Sequence, residues 1–288
     1  MGLQFCLNII VCNKNVIGNN KQGAQIMSEG SIFDFRSDTV TRPDDAMRAA
    51  MAAAEVGDDV YGDDKTTANL EARVADMLGK AAGLFVSSGT MANLISVLTH
   101  CNRGDEILLG DKSHIFYYEA GGVSAFGGIH SHQLKNRDDG TIDLHLIKNA
   151  FRKENVHFPR TSLISLENTH NMCNGSPIGP EYFSEVGALA KENNVKIHVD
   201  GARIFNASVS LNLDVHKLVK DVDSITFCLS KGLASPVGSV LCGSKEFIFE
   251  ARRMRKALGG GMRQGRILAA SGLLSINKMV HQLKTDHA

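Results

Sequence analysis

Six short apolar runs, separated by stretches with helical spacing, set the tightest limit on what this chain can fold into. The runs are Gly83–Val86, Glu106–Leu109, Ser162–Leu166, Val195–Val199, Ser224–Cys228 and Gly238–Cys242. Runs this short and rich in β-formers read as buried strands rather than helices. The stretches between them at 90–100, 141–153 and 181–193 suit helices. Upstream, 43–55 places Met47 and Met51 on one helical face, and 65–79 does the same for Leu70, Val74, Met77 and Leu78. Strands alternating with helices predict an α/β fold with a mostly parallel, doubly wound sheet flanked by helices.

At 288 residues the chain can bury a sizeable core, in one large domain or two modest ones. Its 31 basic and 31 acidic residues balance, so no polyanion partner such as nucleic acid is expected. The basic run Arg252-Arg253-Met254-Arg255-Lys256 reads as a solvated helix face. The six cysteines form no C-x-x-C pair, which argues against a metal site or disulfide framework and for a reducing, cytoplasmic setting. No apolar stretch approaches the roughly 20 residues that span a bilayer, so no membrane partner is expected. Residues 1–12 lack the basic start and cleavage site of a signal peptide. Residues 13–31, rich in Asn, Gly, Gln and Ser, read as flexible, and Met27 opens a more usual-looking start. Residues 1–32 are therefore read as an extension, and 33–288 as the folded domain.

In sheets of this kind ligands bind beyond the C-terminal strand ends, and three segments there could carry chemistry. In Ser87-Ser-Gly-Thr-Met-Ala-Asn93 a strand ends and a helix begins. Free amides and the helix dipole at such a point bind phosphate, although the segment taken alone reads first as a Ser/Thr cap. In His198-Val-Asp-Gly-Ala-Arg203, Asp200 and Arg203 are either a structural ion pair or a carboxylate and a guanidinium that serve a ligand. Lys231 directly follows the Ser224–Cys228 run. Such a lysine either snorkels to the surface or acts as a nucleophile.

These segments, in this order, resemble the L-threonine aldolase family of pyridoxal-phosphate (PLP) enzymes. The resemblance extends to Asp34-Phe-Arg-Ser-Asp-Thr-Val-Thr-Arg-Pro43, Val56-Gly-Asp-Asp-Val-Tyr-Gly-Asp-Asp64, Asp111-Lys-Ser-His-Ile-Phe116, Leu166-Glu-Asn-Thr-His170, Val199-Asp-Gly-Ala-Arg-Ile-Phe-Asn206 and Gly259-Gly-Gly-Met-Arg-Gln264. It runs from about residue 33 to the end and implies the large domain of PLP fold type I.

The resemblance also implies roles. Lys231 would carry PLP through a Schiff base, and Asp200 would meet the pyridine nitrogen. His114 would stack on the ring and take part in proton transfer. Ser88, Gly89 and Thr90, with Ser230, would hold the phosphate. Ser37 and Arg203 would bind the substrate carboxylate. Tyr61, His157 and Arg263 would reach a site across a subunit interface, with Arg263 serving the cofactor, Tyr61 the substrate and His157 offering a second candidate base. The substrate would be a small β-hydroxy-α-amino acid, cleaved to glycine and an aldehyde by a homo-oligomer, dimer or tetramer, with shared sites. Two other readings stay open: β-elimination on the same scaffold, or an impaired fragment that only binds cofactor or full-length subunits. The family continues into a smaller C-terminal domain that the resemblance does not find here.

Overall fold

In the computed structural model the described residues are 9–11, 32–34 and 36–288; the stretch 13–31 expected to be flexible lies outside them. Strand β1 (Ile9–Val11) pairs antiparallel with β2 (Ile32–Asp34). Next come α1 (Asp45–Ala52), α2 (Lys65–Met77), β3 (Ala82–Val86), α3 (Gly89–His100) and β4 (Glu106–Gly110). Two short helices, α4 (His114–Tyr117) and α5 (Gly122–Gly127), lead to β5 (His130–Leu134). The alternation resumes with α6 (Leu144–Ala150), β6 (Thr161–Glu167), α7 (Pro180–Glu192), β7 (Lys196–Asp200), α8 (Ile204–Leu211) and α9 (Val215–Leu218). Strands β8 (Ser224–Cys228) and β9 (Ser239–Gly243) follow, then α10 (Lys245–Ala257), α11 (Arg266–Leu274) and α12 (Val280–Asp286).

The large sheet has the order β3-β9-β8-β7-β6-β4-β5. Strands β5, β4, β6, β7 and β8 run parallel, while β9 is antiparallel to both β8 and β3. All six expected runs are strands, and the expected parallel α/β architecture holds with β9 as its one reversed member. Alternation along the strands divides the core between the two faces. In β4, Ile107 and Leu109 join Val97 of α3 and Val123 of α5, while Leu108 joins the core on the opposite face. In β3, Leu84 and Val86 meet Ile95 of α3 and Ile248 of α10, whereas Phe85 faces the other way with Leu70 and Val74 of α2.

The helices start where side chains satisfy their first amides. Asp64 accepts from Thr67 N at 2.9 Å to open α2, and Ser88 accepts from Met91 N at 3.1 Å to open α3. Pro180 begins α7, a position that needs no amide. Phe183, Val186 and Ala190 then bury one face of that helix.

The basic run of α10 departs from a solvated face. Arg255 is buried, donating to Asp59 at 2.6 Å and to the Phe85 carbonyl at 2.7 Å. Arg252 reaches Glu71 at 2.7 Å. These bonds clamp the acidic loop 57–64 against the sheet.

Candidate active site

Because β3, β4, β6, β7 and β8 share one direction, the segments leaving their C-terminal ends gather along one edge of the sheet. Register makes the neighbours explicit: Val86 lies opposite Ser239, which lies opposite Cys228, while Glu167 lies opposite Asp200 and Asp200 opposite Thr226. Ser88, His114, Asp200 and Lys231 all leave from this edge.

The start of α3 is pressed against the strand that leads to Lys231. A Cβ on Gly89 would stand 2.8 Å from the Cys228 sulfur, so only glycine allows this approach. Ser88 and Thr90 are exposed at the helix start. The first amides of α3 have no helical carbonyl to bond and present the positive end of the dipole. Ser230 is half-buried on the adjacent loop.

One turn into α3, buried Asn93 donates to Asp200 Oδ2 at 2.8 Å and to Glu119 Oε1 at 2.8 Å. The Ala202 amide donates to Asp200 Oδ1 at 3.1 Å. Glu119 Oε1 also lies 2.9 Å from His114 Nδ1. That bond lifts the His114 imidazole above its usual value, against the opposing effect of burial. Burial in turn pushes the Glu119 carboxyl up. The His114 amide donates to Glu167 Oε2 at 2.8 Å and the Asn171 amide to Glu167 Oε1 at 2.9 Å. Burial and the nearby Asp200 charge raise the Glu167 carboxyl to about 7.

His114, Glu119 and Asp200 offer ligand atoms within 4.8 Å of one another. The Asn93 N–H groups point at both carboxylates, and their positive ends oppose a cation there. The cluster therefore reads as a hydrogen-bonded unit rather than a metal site.

Lys231 is half-buried on the loop after β8 and shares a small cavity with Cys228, Ala202 and Arg203. Thr41 Oγ1 donates to the Lys231 carbonyl at 2.6 Å, and the Gly232 amide to Asp38 Oδ2 at 3.3 Å, so residues 38–41 brace this loop. Arg203 and Ser37 line a neighbouring cavity of about 630 Å³ together with Asp38, Asn171 and His287. Within it, the Arg203 fork is already engaged by Asp38, and Ser37 Oγ accepts from Thr39 N at 3.2 Å to cap a short turn.

Three expected residues do not join this group within the chain. His157 is exposed and precedes β6, so it sits at the opposite edge of the sheet from Asp200. Its position before a strand already implied this. Tyr61 is 79% exposed on the acidic loop. Arg263 bonds Asp58 of that same loop at 3.1 Å, which gathers Tyr61 and Arg263 on one face. Gly260 packs on Met91, so this face borders the start of α3.

Sequence reasoning missed Asn93, Glu119, Glu167 and Asp38 as site residues. Asn93, Glu167 and Asp38 stand inside the motifs quoted above. Glu119 lies outside them, between two short helices.

An amide cradle, a buried carboxylate and a lysine on adjoining strand ends suit a phosphorylated pyridine aldehyde: anion to amides, ring nitrogen to carboxylate, carbonyl to amine. The fold is that of the large domain of PLP fold type I enzymes. The β-eliminating lyase family profile matches residues 34–288. The chain is 54% identical over 257 residues to low-specificity L-threonine aldolase 1 of Arabidopsis thaliana, covering 88% of this chain and 72% of the relative. It is 46% identical over 256 residues to low specificity L-threonine aldolase of Escherichia coli K12, covering 89% and 76%. A solved Listeria monocytogenes structure, provisionally an L-allo-threonine aldolase, shares the fold with a TM-score of 0.73 and 20% identity, covering 83% of this chain and 66% of that one. The chain belongs to the β-eliminating lyase family, in its threonine aldolase branch.

Proposed function

We propose that this chain is the catalytic domain of a low-specificity L-threonine aldolase, cleaving L-threonine or L-allo-threonine to glycine and acetaldehyde with PLP. The observation that carries the reading is the convergence, at one sheet edge, of the α3 amide end, the Asn93-held Asp200, the His114–Glu119 pair and Lys231. The relatives named above support the same reaction.

In this reading the amides of Gly89 and Thr90, with Ser88 and Ser230, hold the cofactor phosphate. Asp200 accepts from the ring nitrogen, and Lys231 is the attachment point. PLP, when bound, supplies the electron sink for the pair left when the Cα–Cβ bond breaks. His114, with Nδ1 held by Glu119, would face the bound cofactor and offer Nε2 to take the β-hydroxyl proton. Arg203 and Ser37 receive the substrate carboxylate, which competes with Asp38 for the guanidinium.

Tyr61, His157 and Arg263 serve the site of a second subunit in a homo-oligomer. The exposed aromatic side chains of Tyr117, Tyr118 and Phe126 support such an assembly. Four buried free thiols, Cys101, Cys173, Cys228 and Cys242, suit a reducing, cytoplasmic setting. No described helix is long and apolar enough to cross a membrane.

The test is product analysis of the purified chain with PLP. Acetaldehyde and glycine from threonine, abolished together with the lysine-bound cofactor absorbance in Lys231→Ala, are expected. Pyruvate and ammonia from an amino acid bearing a β leaving group, with no acetaldehyde from threonine, would overturn the assignment.

A further inference from the structure

Asp200 and Glu119 stand at the end of a buried chain of hydrogen bonds that runs along α3 where it packs on β7 and β8. His198 Nε2 lies 3.1 Å from Asn93 Oδ1. His198 Nδ1 lies 2.8 Å from Ser96 Oγ and 2.9 Å from Ser224 Oγ. The two hydroxyls are 3.1 Å apart, and Ser224 Oγ is 2.8 Å from His100 Nε2. Asn93, Ser96, His198 and Ser224 are all buried to 1% exposure or less. His100, half-buried and stacked on Phe247, closes the far end.

The partners fix the donors nearest the carboxylates. Both Asn93 N–H groups are spent on Asp200 and Glu119, so its carbonyl must accept. His198 therefore donates from Nε2 and accepts at Nδ1, which needs one hydroxyl to donate there. Ser96 or Ser224 supplies that donor, and the two hydroxyls with His100 complete the cluster. Donation runs from His198 through Asn93 to the two carboxylates. Burial keeps His198 neutral, with a single ring proton, as this order requires. An apolar core would serve packing as well, and a half-satisfied network would cost stability.

We propose that Asn93, locked by His198, is the positioning residue that fixes Asp200 and Glu119 together and so sets two separate contacts of the cofactor site. Asp200 is held as an acceptor toward the ring nitrogen, and Glu119 as the acceptor that orients His114. The amide cannot pass a proton, so the chain sets orientation rather than relaying protons. A free asparagine side chain could turn its carbonyl toward the carboxylates. The His198 donor forbids that rotamer.

This inference rests on the PLP reading. The experiment is nitrogen NMR of the enzyme loaded with PLP labelled at its pyridine nitrogen, alongside PLP binding and thermal melting. Asp200→Asn marks the signal of a ring nitrogen deprived of its carboxylate. Asn93→Leu and His198→Leu are expected to move the signal toward that position and to weaken PLP binding about tenfold. His198→Gln, which restores a donor, is expected to stay near the native signal. Asn93→Asp keeps the native shape should Asn93→Leu fold poorly, and it too is expected to displace the signal. A native signal in the Asn93 variants, with only the melting temperature lowered, would overturn the inference while leaving the cofactor site intact. A native signal in Asp200→Asn would overturn the cofactor reading and this inference with it.

Discussion

Asp38 engages the Arg203 guanidinium at two points: Nε donates to Oδ2 at 2.9 Å and Nη2 to Oδ1 at 2.6 Å. Burial alone would lift the Asp38 carboxyl. The bonds and charge of Arg203, with the Lys231 charge behind them, bring it below the usual carboxylate range. This is the bidentate geometry in which arginine takes any carboxylate. Asp38 therefore occupies the fork that, in the proposed reaction, would receive the substrate carboxylate.

Removing that carboxylate has two expected consequences. Asp38→Ala leaves a largely buried guanidinium unpaired and frees the Gly232 amide beside Lys231. Stability falls by roughly 1–3 kcal/mol, read by urea denaturation. The freed Arg203 also binds glycine more tightly, read by calorimetry on the PLP-loaded protein. Weaker glycine binding would mean that Asp38 aims the guanidinium rather than competing for it.

The Gly89–Cys228 contact yields a paired prediction. Gly89→Ala drives a methyl to 2.8 Å from sulfur, so helix start or strand end must shift. Overpacking of this kind costs roughly 1–3 kcal/mol, and PLP binding weakens with it. Cys228→Ala in the same chain removes the sulfur and restores both. A double variant no better than Gly89→Ala would place the defect in the helix backbone instead.

Glu119 governs the protonation of His114. In Glu119→Gln the raising hydrogen bond to a carboxylate is lost, while burial still disfavours the charged ring. The His114 midpoint drops in the variant, which proton NMR titration of the ring can follow. In the native protein the raised midpoint favours folding below pH 6.5. That contribution fades as pH climbs through the folded value. An unmoved midpoint would show that another group controls the ring.

Three histidines, His170 and His198 buried and His100 half-buried, set an acid limb for stability. Burial lowers His100 and His170 to about 4 and His198 to about 3. Unfolded, each takes up a proton near 6.5, so between these values the unfolded chain binds more protons. The stability they confer is complete above pH 6.5 and is lost as pH falls toward 4 and below. Urea denaturation across this range should show the decline, and His198→Gln should flatten it while keeping the donor to Asn93.

The parallel strands and the strand-end residues were legible because both follow from local pattern. A five-residue apolar run buried on two faces has few other readings, and Asp200 and Lys231 occupy the edge where such sheets bind ligands. Strand β5 was not legible. Its sequence, His130-Ser-His-Gln-Leu134, is polar because it lies at the sheet edge with only Leu134 buried. Glu119 escaped notice because α4 and α5 are too short to show a period. Arg255 looked like one more surface cation because its partners, Asp59 and the Phe85 carbonyl, lie far away in sequence. Local pattern identifies strands and their ends, whereas long-range polar pairing emerges only once the chain has closed.

That closure has its own order. Strand β3 is the first strand of the large sheet to leave the ribosome, yet its one neighbour among the described strands is β9, residues 82–86 against 239–243. Until β9 has been made, β3 has no ladder to join, and the Gly89 turn has no Cys228 to rest against. Contacts this distant in sequence form late and slow folding. The corner where Gly89 meets Cys228 is therefore the last part of the sheet to lock, and it must wait for nearly the whole domain to be synthesised.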